Sequence, residues 1–398
     1  MIRSENRLLT SHAGTLHRPP ELVDIIGSHF GTIKGEDKEA FQRTLPGFVK
    51  DVVKRQVDIG FDIVNDGEFS KRGGWNYYIR GRLSGLEEPA EPLPPISGPV
   101  RDQKEFPQFF AANPRGQIYR ENTLTPRGEI NRTSTPVLCT GPLKYVGQKD
   151  VAADIANIKA AVEAFPGVQP TIAAVALVGS GTTGTIRNHY YKTQEEFMFA
   201  CAEAMHEEYK AITDAGILLQ VDDPSIAASW QGFPEDKSIE DYRKYTELRV
   251  EVLNHALRDC PEELTRIHIC WGSGHGPHKN DLDLKHIIDV VFKVNVGCYN
   301  IEAANPRHAH EWEVFETFKL PEGKTLMPGV VGHTSDLIEH PELVAQRLVQ
   351  YANLVGKENL IAGTDCGIGD RVAYPELSWA KLESLVEGAR IASKKLWN

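Results

Sequence analysis

Short apolar runs recur along the whole chain, and most of them end in polar or small residues. Between most of these runs lie longer stretches whose apolar positions repeat with helical spacing, such as 195–216 and 341–356. In the second stretch, Pro341 suits the first turn of a helix and Gly356 suits its end. The apolar runs are predicted to be strands at 8–14, 61–68, 171–179, 217–224, 266–272, 298–305, 326–333 and 360–367.

Strand and helix alternate about eight times, which favours a (β/α)8 TIM barrel over an open doubly wound sheet. A doubly wound fold usually carries a G-x-G-x-x-G turn after its first strand, whereas here that strand runs into SHAGTLHRPP. In a barrel, chemistry lies at the C-terminal ends of the strands. Polar residues cluster at those predicted ends: Glu68, Asp222, Asp223, His268, Cys270, Glu302, His333, Asp365 and Cys366.

One region interrupts the alternation. Residues 84–100, SGLEEPAEPLPPISGPV, are rich in proline, and the residues that follow to about 135 show no clear period. We predict an insertion at 84–145, after the second strand, within a single barrel domain that spans 1–398. The apolar run at 135–141 is assigned to an excursion hairpin in this insertion and not to the barrel.

Composition narrows the function classes. The chain has 398 residues, of which 41% are hydrophobic, so it can bury a sizeable core. Its formal net charge of −11 argues against nucleic acid and anionic membranes as partners. The sequence shows neither a signal-peptide pattern nor an apolar run long enough to span a membrane. Its six scattered cysteines favour a reducing cytoplasm over a disulfide framework, and homo-oligomerisation stays open.

Two soft metal-binding side chains alternate along the strand RIHICWG. Residues i and i+2 of a strand point to the same face, so His268 and Cys270 are placed to chelate one ion. Glu302 and Cys366 end two other predicted strands, and all four side chains would converge at one barrel mouth. One histidine, two cysteines and one glutamate favour zinc. Taken alone, the H-x-C motif is more often an ordinary core histidine and cysteine.

Several further motifs surround these residues in a fixed order. They are Ala13-Gly14-Thr15, Asp66-Gly67-Glu68, Gln220-Val221-Asp222-Asp223-Pro224, His268-Ile269-Cys270, YNIEAAN and Asp365-Cys366-Gly367. Together they resemble the catalytic barrel of cobalamin-independent methionine synthase, and more closely the short single-barrel relatives of that family. The resemblance implies a (β/α)8 barrel with a catalytic zinc whose ligands would be His268, Cys270, Glu302 and Cys366.

The resemblance also implies roles around the metal. Glu68 and Asp222 would hold the amine of homocysteine, and Thr15 would lie in the substrate-contacting motif of the first strand. For both acids, helix capping or salt bridging is the alternative. His333 is a candidate proton donor to the leaving group, or equally a helix-capping histidine.

Two further histidines, His275 and His278, lie in the glycine-rich loop GSGHGPH. They are candidates for mobile residues that close over the substrate. Zinc coordination would lower the pKa of a bound thiol and give an attacking thiolate. Glu302 is the ligand expected to loosen when the substrate sulfur arrives.

These expectations favour a zinc-dependent thiol S-methyltransferase similar to 5-methyltetrahydrofolate–homocysteine methyltransferase, with a methylated folate or corrinoid as donor. Asn131-Arg132-Thr133 stands where the family has a folate-contacting S-R-C stretch, so the donor is open. An alternative is a zinc-dependent epoxide:thiol transferase of the coenzyme M type, which needs a cationic pocket. Zinc-dependent hydrolysis is disfavoured by two cysteine ligands. A non-catalytic zinc- or thiol-binding barrel is the remaining alternative.

Overall fold

The computed structural model describes residues 3–26, 35–71, 74, 78–91, 93, 100–113, 136–177, 186–369 and 371–398. In this part of the chain the strands are β1 Leu9–Thr10, β2 Ile63–Asn65, β3 Leu86–Glu87, β4 Val137–Cys139, β5 Gln169–Val175, β6 Ile186–Asn188, β7 Leu218–Asp222, β8 Thr265–Ile269, β9 Cys298–Glu302, β10 Thr325–Val331 and β11 Ile361–Thr364.

Eight of these strands form a parallel sheet in the order β1-β11-β10-β9-β8-β7-β5-β2. Each of the eight predicted runs overlaps one of these strands, so the prediction of a (β/α)8 TIM barrel is confirmed. The sheet curls until its two end strands, β1 and β2, become neighbours. The backbone N–H of Asp62 there donates to the carbonyl of Thr10 at 3.3 Å and nearly closes the barrel.

The helices lie between the strands. They are α1 Pro20–Ile26, α2 Gly35–Ile59, α3 Val100–Glu105, α4 Pro107–Ala112, α5 Gln148–Val162, α6 Gln194–Asp214, α7 Ser225–Ala228, α8 Ile239–Ala256, α9 Ile288–Val291, α10 Val314–Thr317, α11 Pro341–Val355 and α12 Pro375–Trp397. Short 3-10 turns occur at Tyr78–Arg82, Ser229–Gly232, Glu262–Leu264, Leu284–His286, Glu311–Glu313 and Lys357–Asn359.

The two helices predicted from periodicity form as expected. Helix α6 begins after Thr193, whose side chain accepts a hydrogen bond from the Glu196 N–H and so caps the first turn. Helix α11 begins at Pro341 and ends before Gly356, whose φ of 88° lies in the left-handed region that favours glycine. Within the described residues, no helix has the length and apolar character that crossing a membrane needs.

A second, three-stranded sheet covers part of the predicted insertion. Strand β4 pairs antiparallel with β3 and parallel with β6, and all three lie outside the barrel sheet. The run at 135–141 therefore provides strand β4 of this second sheet. Strand β6 follows the barrel strand β5, outside the predicted 84–145, so the excursion sheet also recruits a later segment that we did not predict.

Apolar side chains fill both the space between barrel and helices and the barrel interior. The interior cluster consists of Ala13, Ile63, Leu218, Cys298, Met327 and Ile361. Above it, neighbouring strands hold polar residues level with one another. The register pairs Asp222 of β7 with His268 of β8, and His268 with Asn300 of β9. This row of three polar residues belongs to the wall of the candidate site.

Candidate metal centre

Three of the four predicted metal ligands meet at one point. One ligand atom each of His268, Cys270 and Cys366 lies within 4.8 Å of the others. His268 and Cys270 lie at the end of β8 on the same face, and Cys366 follows β11. The first two are buried and Cys366 is partly exposed, so the cluster lies at the C-terminal mouth of the barrel.

The imidazole of His268 is held in one orientation. Its Nδ1 lies 2.6 Å from Oδ1 of Asn300, whose own Nδ2 donates to the carbonyl of Met327 at 2.8 Å. Since that amide orientation makes Oδ1 an acceptor, Nδ1 of His268 carries the hydrogen. Its buried Nε2 has no nitrogen or oxygen partner among the described residues. A buried ring nitrogen without such a partner, next to two thiols, suits a soft metal ion.

The two thiols are electrostatically unlike. The pKa of Cys366 lies well below its ordinary value because Cys270 donates to it and because His333 and His268 lie nearby. The pKa of Cys270 lies well above its ordinary value because the same contact with Cys366 and burial both favour its neutral form. One sulfur therefore ionises readily beside a second that keeps its proton. A zinc ion binds such cysteines as thiolates, so this donor set fits zinc.

Glu302 lies outside this set of three. Its Oε2 accepts a hydrogen bond from the Trp271 N–H at 2.8 Å, and its Oε1 accepts one from Nδ2 of Asn305 at 3.0 Å. It belongs to a second buried cluster with His333 and Asp365, again with ligand atoms within 4.8 Å of one another. The structure thus brings three predicted ligands together and places the fourth beside them, with protein partners of its own.

Asp365 ties the ends of two strands together. Its Oδ1 accepts hydrogen bonds from the N–H groups of Ala303 and Ala304 at 2.8 and 2.7 Å, just beyond β9. Any Cβ at Gly329 of β10 would overlap the Asp365 backbone, so glycine permits this close approach. Burial and the nearby Glu302 raise the pKa of Asp365 well above its ordinary value. Asp365 thereby fixes the chain that carries Cys366.

His333 is fully buried and reaches the cysteines through a serine. Its Nε2 lies 3.0 Å from Oγ of Ser273, and that hydroxyl lies 3.9 Å from Sγ of Cys366. Burial lowers the pKa of His333 to about 3, so its imidazole is neutral at neutral pH. Its Nδ1 has no hydrogen-bond partner in the described part of the chain.

The two predicted substrate acids also lie at this mouth and are buried. Glu68 has a φ of 58°, unusual for a residue with a side chain, and its Oε2 lies 3.4 Å from Oγ1 of Thr15. Asp222 accepts a hydrogen bond from Nε2 of Gln220 at 2.7 Å. Burial raises the pKa of each acid, with a further contribution from Cys366. Thr15, Glu68 and Asp222 are therefore close to one another and to the thiol cluster.

His278 differs from the expected mobile loop residue. Its Nδ1 lies 2.6 Å from Oδ2 of Asp281 and its Nε2 lies 3.1 Å from the Gly274 carbonyl, so it is anchored within its own loop. His275 is partly exposed in that loop. The folate-contacting comparison at residues 131–133 lies outside the described residues.

Four residues of the site were not identified from the sequence: Arg18, Lys71, Ser273 and Asn300. Asn300 could have been found, because it precedes Glu302 by two residues on one strand and so shares its face. Arg18 and Lys71 look like ordinary surface charges in the sequence. Only the fold buries them beside Glu68.

Comparison with known proteins gives a consistent family. A family model described as the catalytic domain of cobalamin-independent synthase matches residues 178–390. The chain is 25% identical over 352 residues to the uncharacterised protein YxjH of Bacillus subtilis, covering 84% of this chain and 82% of YxjH. It is 26% identical over 212 residues to a methionine synthase of Saccharolobus islandicus, covering 52% of this chain and 54% of that protein.

The fold also matches a solved structure over nearly its full length. A B12-independent methionine synthase from Shewanella sp. W3-18-1, in complex with selenomethionine, superposes with a TM-score of 0.69 at 20% identity. The match covers 98% of this chain and 99% of that one. At this identity the likeness establishes a shared fold.

Proposed function

Because the chain belongs to the family of cobalamin-independent synthase catalytic domains, we propose that it is a zinc-dependent methyltransferase acting on a thiol such as homocysteine. The relatives named methionine synthase support the acceptor class. The alignment to the Saccharolobus protein covers about half of each chain, so the acceptor rests mainly on the site described above.

One observation carries the proposal: His268, Cys270 and Cys366 present three soft ligand atoms within 4.8 Å at a barrel mouth. These three residues would hold zinc, with Glu302 as the candidate fourth ligand. Bound zinc would supply a positive charge that stabilises the acceptor sulfur as a thiolate at neutral pH. Two cysteine ligands distinguish this site from hydrolytic zinc sites, which favour histidine and carboxylate.

The chain's own residues prepare the site in three ways. Asn300 fixes the His268 ring so that Nε2 faces the sulfurs. Asp365 fixes the loop before Cys366 through the backbone of residues 303–304. Glu302 already accepts two hydrogen bonds from protein groups. If it left a bound metal, its buried carboxylate would therefore still have hydrogen-bond partners.

His333 is the candidate for proton handling. Its ring is neutral and buried, and Nδ1, which has no hydrogen-bond partner among the described residues, would be the atom that exchanges a proton with the methyl donor. The hydroxyl of Ser273 lies between Nε2 of His333 and Sγ of Cys366 and links the two. The methyl donor is a methylated folate or a corrinoid.

A second candidate function keeps the same thiol site. Two buried cations, Arg18 and Lys71, lie beside Glu68 and favour an acceptor that carries an anionic group. Such an acceptor also suits an enzyme that opens an epoxide with a sulfonate-bearing thiol. Assays that pair homocysteine or coenzyme M with a methylated folate, methylcobalamin or an epoxide separate the two activities.

The metal is tested by elemental analysis of the purified protein. We expect about one zinc per chain, with loss of most of it in Cys270→Ser and in Cys366→Ser. Cys260→Ser is the matched control, because Cys260 is also a partly exposed free cysteine but lies outside the cluster. Unchanged zinc in both site variants would show that the metal centre is misplaced.

The thiol is tested by X-ray absorption at the metal while homocysteine, cysteine and coenzyme M are titrated. We expect a sulfur ligand to enter the coordination shell with at least one of them. If none enters, the zinc would be retained but the proposed thiol activation would be wrong.

A further inference from the structure

Lys71 is a buried lysine without a hydrogen-bond acceptor. Only 4% of the residue is exposed, and its Nζ has no hydrogen-bond partner among the described residues. Its nearest ion-pair contact is Oε1 of Glu68 at 3.7 Å, beyond hydrogen-bond range. Its ammonium also lies 5.2 Å from the ring centre of Tyr78. The three N–H donors of this ammonium are therefore buried near a carboxylate, but no described residue accepts a hydrogen bond from them.

Arg18, in the chain that follows β1, repeats this situation where it packs against the turn at 68–71. It is 5% exposed, and its NH2 group donates to the carbonyls of Glu68 and Lys71 at 2.9 and 3.0 Å. Its Nε and NH1 groups have no hydrogen-bond partner in the part of the chain that is described. One nitrogen of the guanidinium thus holds the 68–71 turn in place, and the other two offer N–H donors that no described residue accepts.

Both cations act on the candidate thiol site. Burial raises the pKa of Glu68, whereas Lys71 and Arg18 oppose that rise, and Cys366 is close enough to add to it. Lys71 likewise opposes the rise in the pKa of Asp222 that burial causes. The two acids expected to hold an ammonium group therefore already have two resident cations beside them.

The buried charges of Lys71 and Arg18 change which charged group the thiol acceptor is expected to carry. A thiol that carries only an ammonium group would meet acids that are already compensated, and it would leave the buried donors unsatisfied. Leaving such donors unsatisfied costs about 1–3 kcal/mol per group, more when the group is charged. An oxyanion on the acceptor would satisfy them with charge-assisted hydrogen bonds.

We propose that Lys71 and Arg18 form the subsite for an oxyanion, a carboxylate or a sulfonate, on the thiol acceptor. This inference rests on the proposed function, because it places the acceptor sulfur at the His268, Cys270 and Cys366 cluster. It makes the anionic group of the acceptor the main determinant of recognition. Glu68 and Asp222 would position Lys71, and they would also bind the amine of an acceptor that carries one.

The test is calorimetric binding of four thiols to the zinc-loaded protein and its variants. Homocysteine carries an amine and a carboxylate, 4-mercaptobutyrate only the carboxylate, 3-mercaptopropylamine only the amine, and 2-mercaptoethanesulfonate only a sulfonate. In the native protein, we expect the best oxyanion-bearing thiol to bind at least about tenfold more tightly than 3-mercaptopropylamine, as one charge-assisted hydrogen bond allows. Whichever of 4-mercaptobutyrate and 2-mercaptoethanesulfonate binds more tightly identifies the preferred oxyanion.

The key variant is Lys71→Met, which removes the charge and retains the length of the side chain. We expect it to weaken binding of the oxyanion-bearing thiols by about 10–100-fold and not to weaken that of 3-mercaptopropylamine, because loss of the cation leaves Glu68 and Asp222 free to attract an amine. Lys71→Arg should restore most of the loss. If Lys71→Met does not fold, Lys71→Met/Glu68→Gln removes one charge of each sign and carries the same comparison.

The outcomes separate the two proposals. If 3-mercaptopropylamine binds as tightly as 4-mercaptobutyrate, or if Lys71→Met weakens all four thiols equally, the oxyanion subsite is wrong while thiol binding stands. If none of the four thiols binds to the native protein, the proposed function is wrong, and the subsite is overturned with it.

Discussion

The orientation of one imidazole depends on a single amide. Asn300 accepts from Nδ1 of His268, so it determines that Nε2 faces Cys270 and Cys366. Residues that orient metal ligands in this way commonly contribute 10–100-fold to metal affinity. The pair is fully buried, so water cannot replace the lost acceptor.

We therefore predict that Asn300→Leu weakens zinc binding by about 10–100-fold, measured by competition with a chromogenic chelator. Asn300→Asp keeps an acceptor at the same position and should bind zinc much more tightly than Asn300→Leu does. Asn254→Leu is the control, because Asn254 bonds only to the 293–295 backbone in the hydrogen bonds that the structure shows. Equal zinc affinity in Asn300→Leu and the native protein would contradict the orienting role.

Two other histidines are charged because of their partners. The nitrogens of His308 lie 2.9 Å from Oε2 of Glu311 and 3.2 Å from Oδ2 of Asp281, and those of His278 face Asp281 and the Gly274 carbonyl. Every partner is an acceptor, so each ring needs two N–H groups. Burial alone would lower the pKa of each histidine, but hydrogen bonds and nearby carboxylates raise it to about 9.

This charge makes stability depend on alkaline pH. A histidine pKa raised from 6.5 to about 9 contributes stability that is complete below pH 6.5 and is lost as the pH rises through 9. We predict that the free energy of unfolding falls by about 1–3 kcal/mol over this range. The measurement is urea unfolding at a series of pH values. His308→Gln should show a shallower fall, and an identical slope would contradict the prediction.

At the residue scale, the sequence was informative wherever strand alternation decided the outcome. His268 and Cys270 share a face because they are two positions apart, and the structure has both facing Cys366. Lys71 and Arg18 could not be assigned in the same way, because no local pattern distinguishes a buried cation from a surface one. Their burial depends on how the chain after β2 folds against the chain after β1.

At the scale of elements, a buried ionic network attaches the excursion to the barrel helices. Arg82, in the turn at Tyr78–Arg82, contacts Asp154 of α5 at 2.6 Å and Glu208 of α6 at 3.1 Å. Glu208 also accepts hydrogen bonds from the hydroxyls of Tyr78 and Tyr145, each at 2.6 Å. Burial raises the pKa of Asp154 to about 6, and only Arg82 bridges it to Glu208 in the described network.

We predict that Arg82→Met lowers the free energy of unfolding by about 3–5 kcal/mol, because it leaves two buried carboxylates without the cation that pairs with both. The measurement is urea unfolding monitored by circular dichroism at neutral pH. The matched control is Arg243→Met, because Arg243 contacts Asp289 at the same 2.6 Å but its side chain is 24% exposed. That variant should lose at most about 1 kcal/mol, and similar losses in the two variants would contradict the argument.

Strand β6 shows why some elements escape prediction. Its three residues, Ile186–Asn188, carry only one buried side chain and sit in a polar stretch. They become a strand because β4, almost fifty residues earlier, offers a free edge. Such pairing is non-local and leaves no local sequence pattern. The barrel strands can be predicted because they are continuous apolar runs that are buried on both faces.

At the scale of the whole molecule, the cluster of three candidate metal ligands joins distant parts of the chain. His268 lies in β8 and Cys270 directly follows it, whereas Cys366 follows β11 on another part of the barrel wall. A metal bound there stabilises the folded state by mass action, by about 4 kcal/mol when its free concentration is a thousand times its dissociation constant.

We therefore predict that chelation lowers the thermal unfolding midpoint of the native protein by several degrees. The measurement is differential scanning calorimetry with and without a chelator, followed by restoration with zinc. Cys366→Ser should already unfold at the lower midpoint and should respond little to the chelator. A midpoint insensitive to the chelator in the native protein would contradict a tightly bound metal.

The closure of the barrel has a consequence for its mouth. Across the junction of β1 and β2, Asp62 supplies much of the attachment: its N–H donates to Thr10, and its carboxylate accepts from the N–H and the hydroxyl of Thr10. Elsewhere the barrel strands are joined mainly by backbone pairing between neighbouring strands. Here the spacing between β1 and β2 depends on Asp62, which lies at the N-terminal end of the barrel, opposite to the end that carries Glu68. A substitution of Asp62 would therefore be expected to shift Thr15 and Glu68, which follow β1 and β2, and so to alter the candidate acceptor site without changing any residue in it.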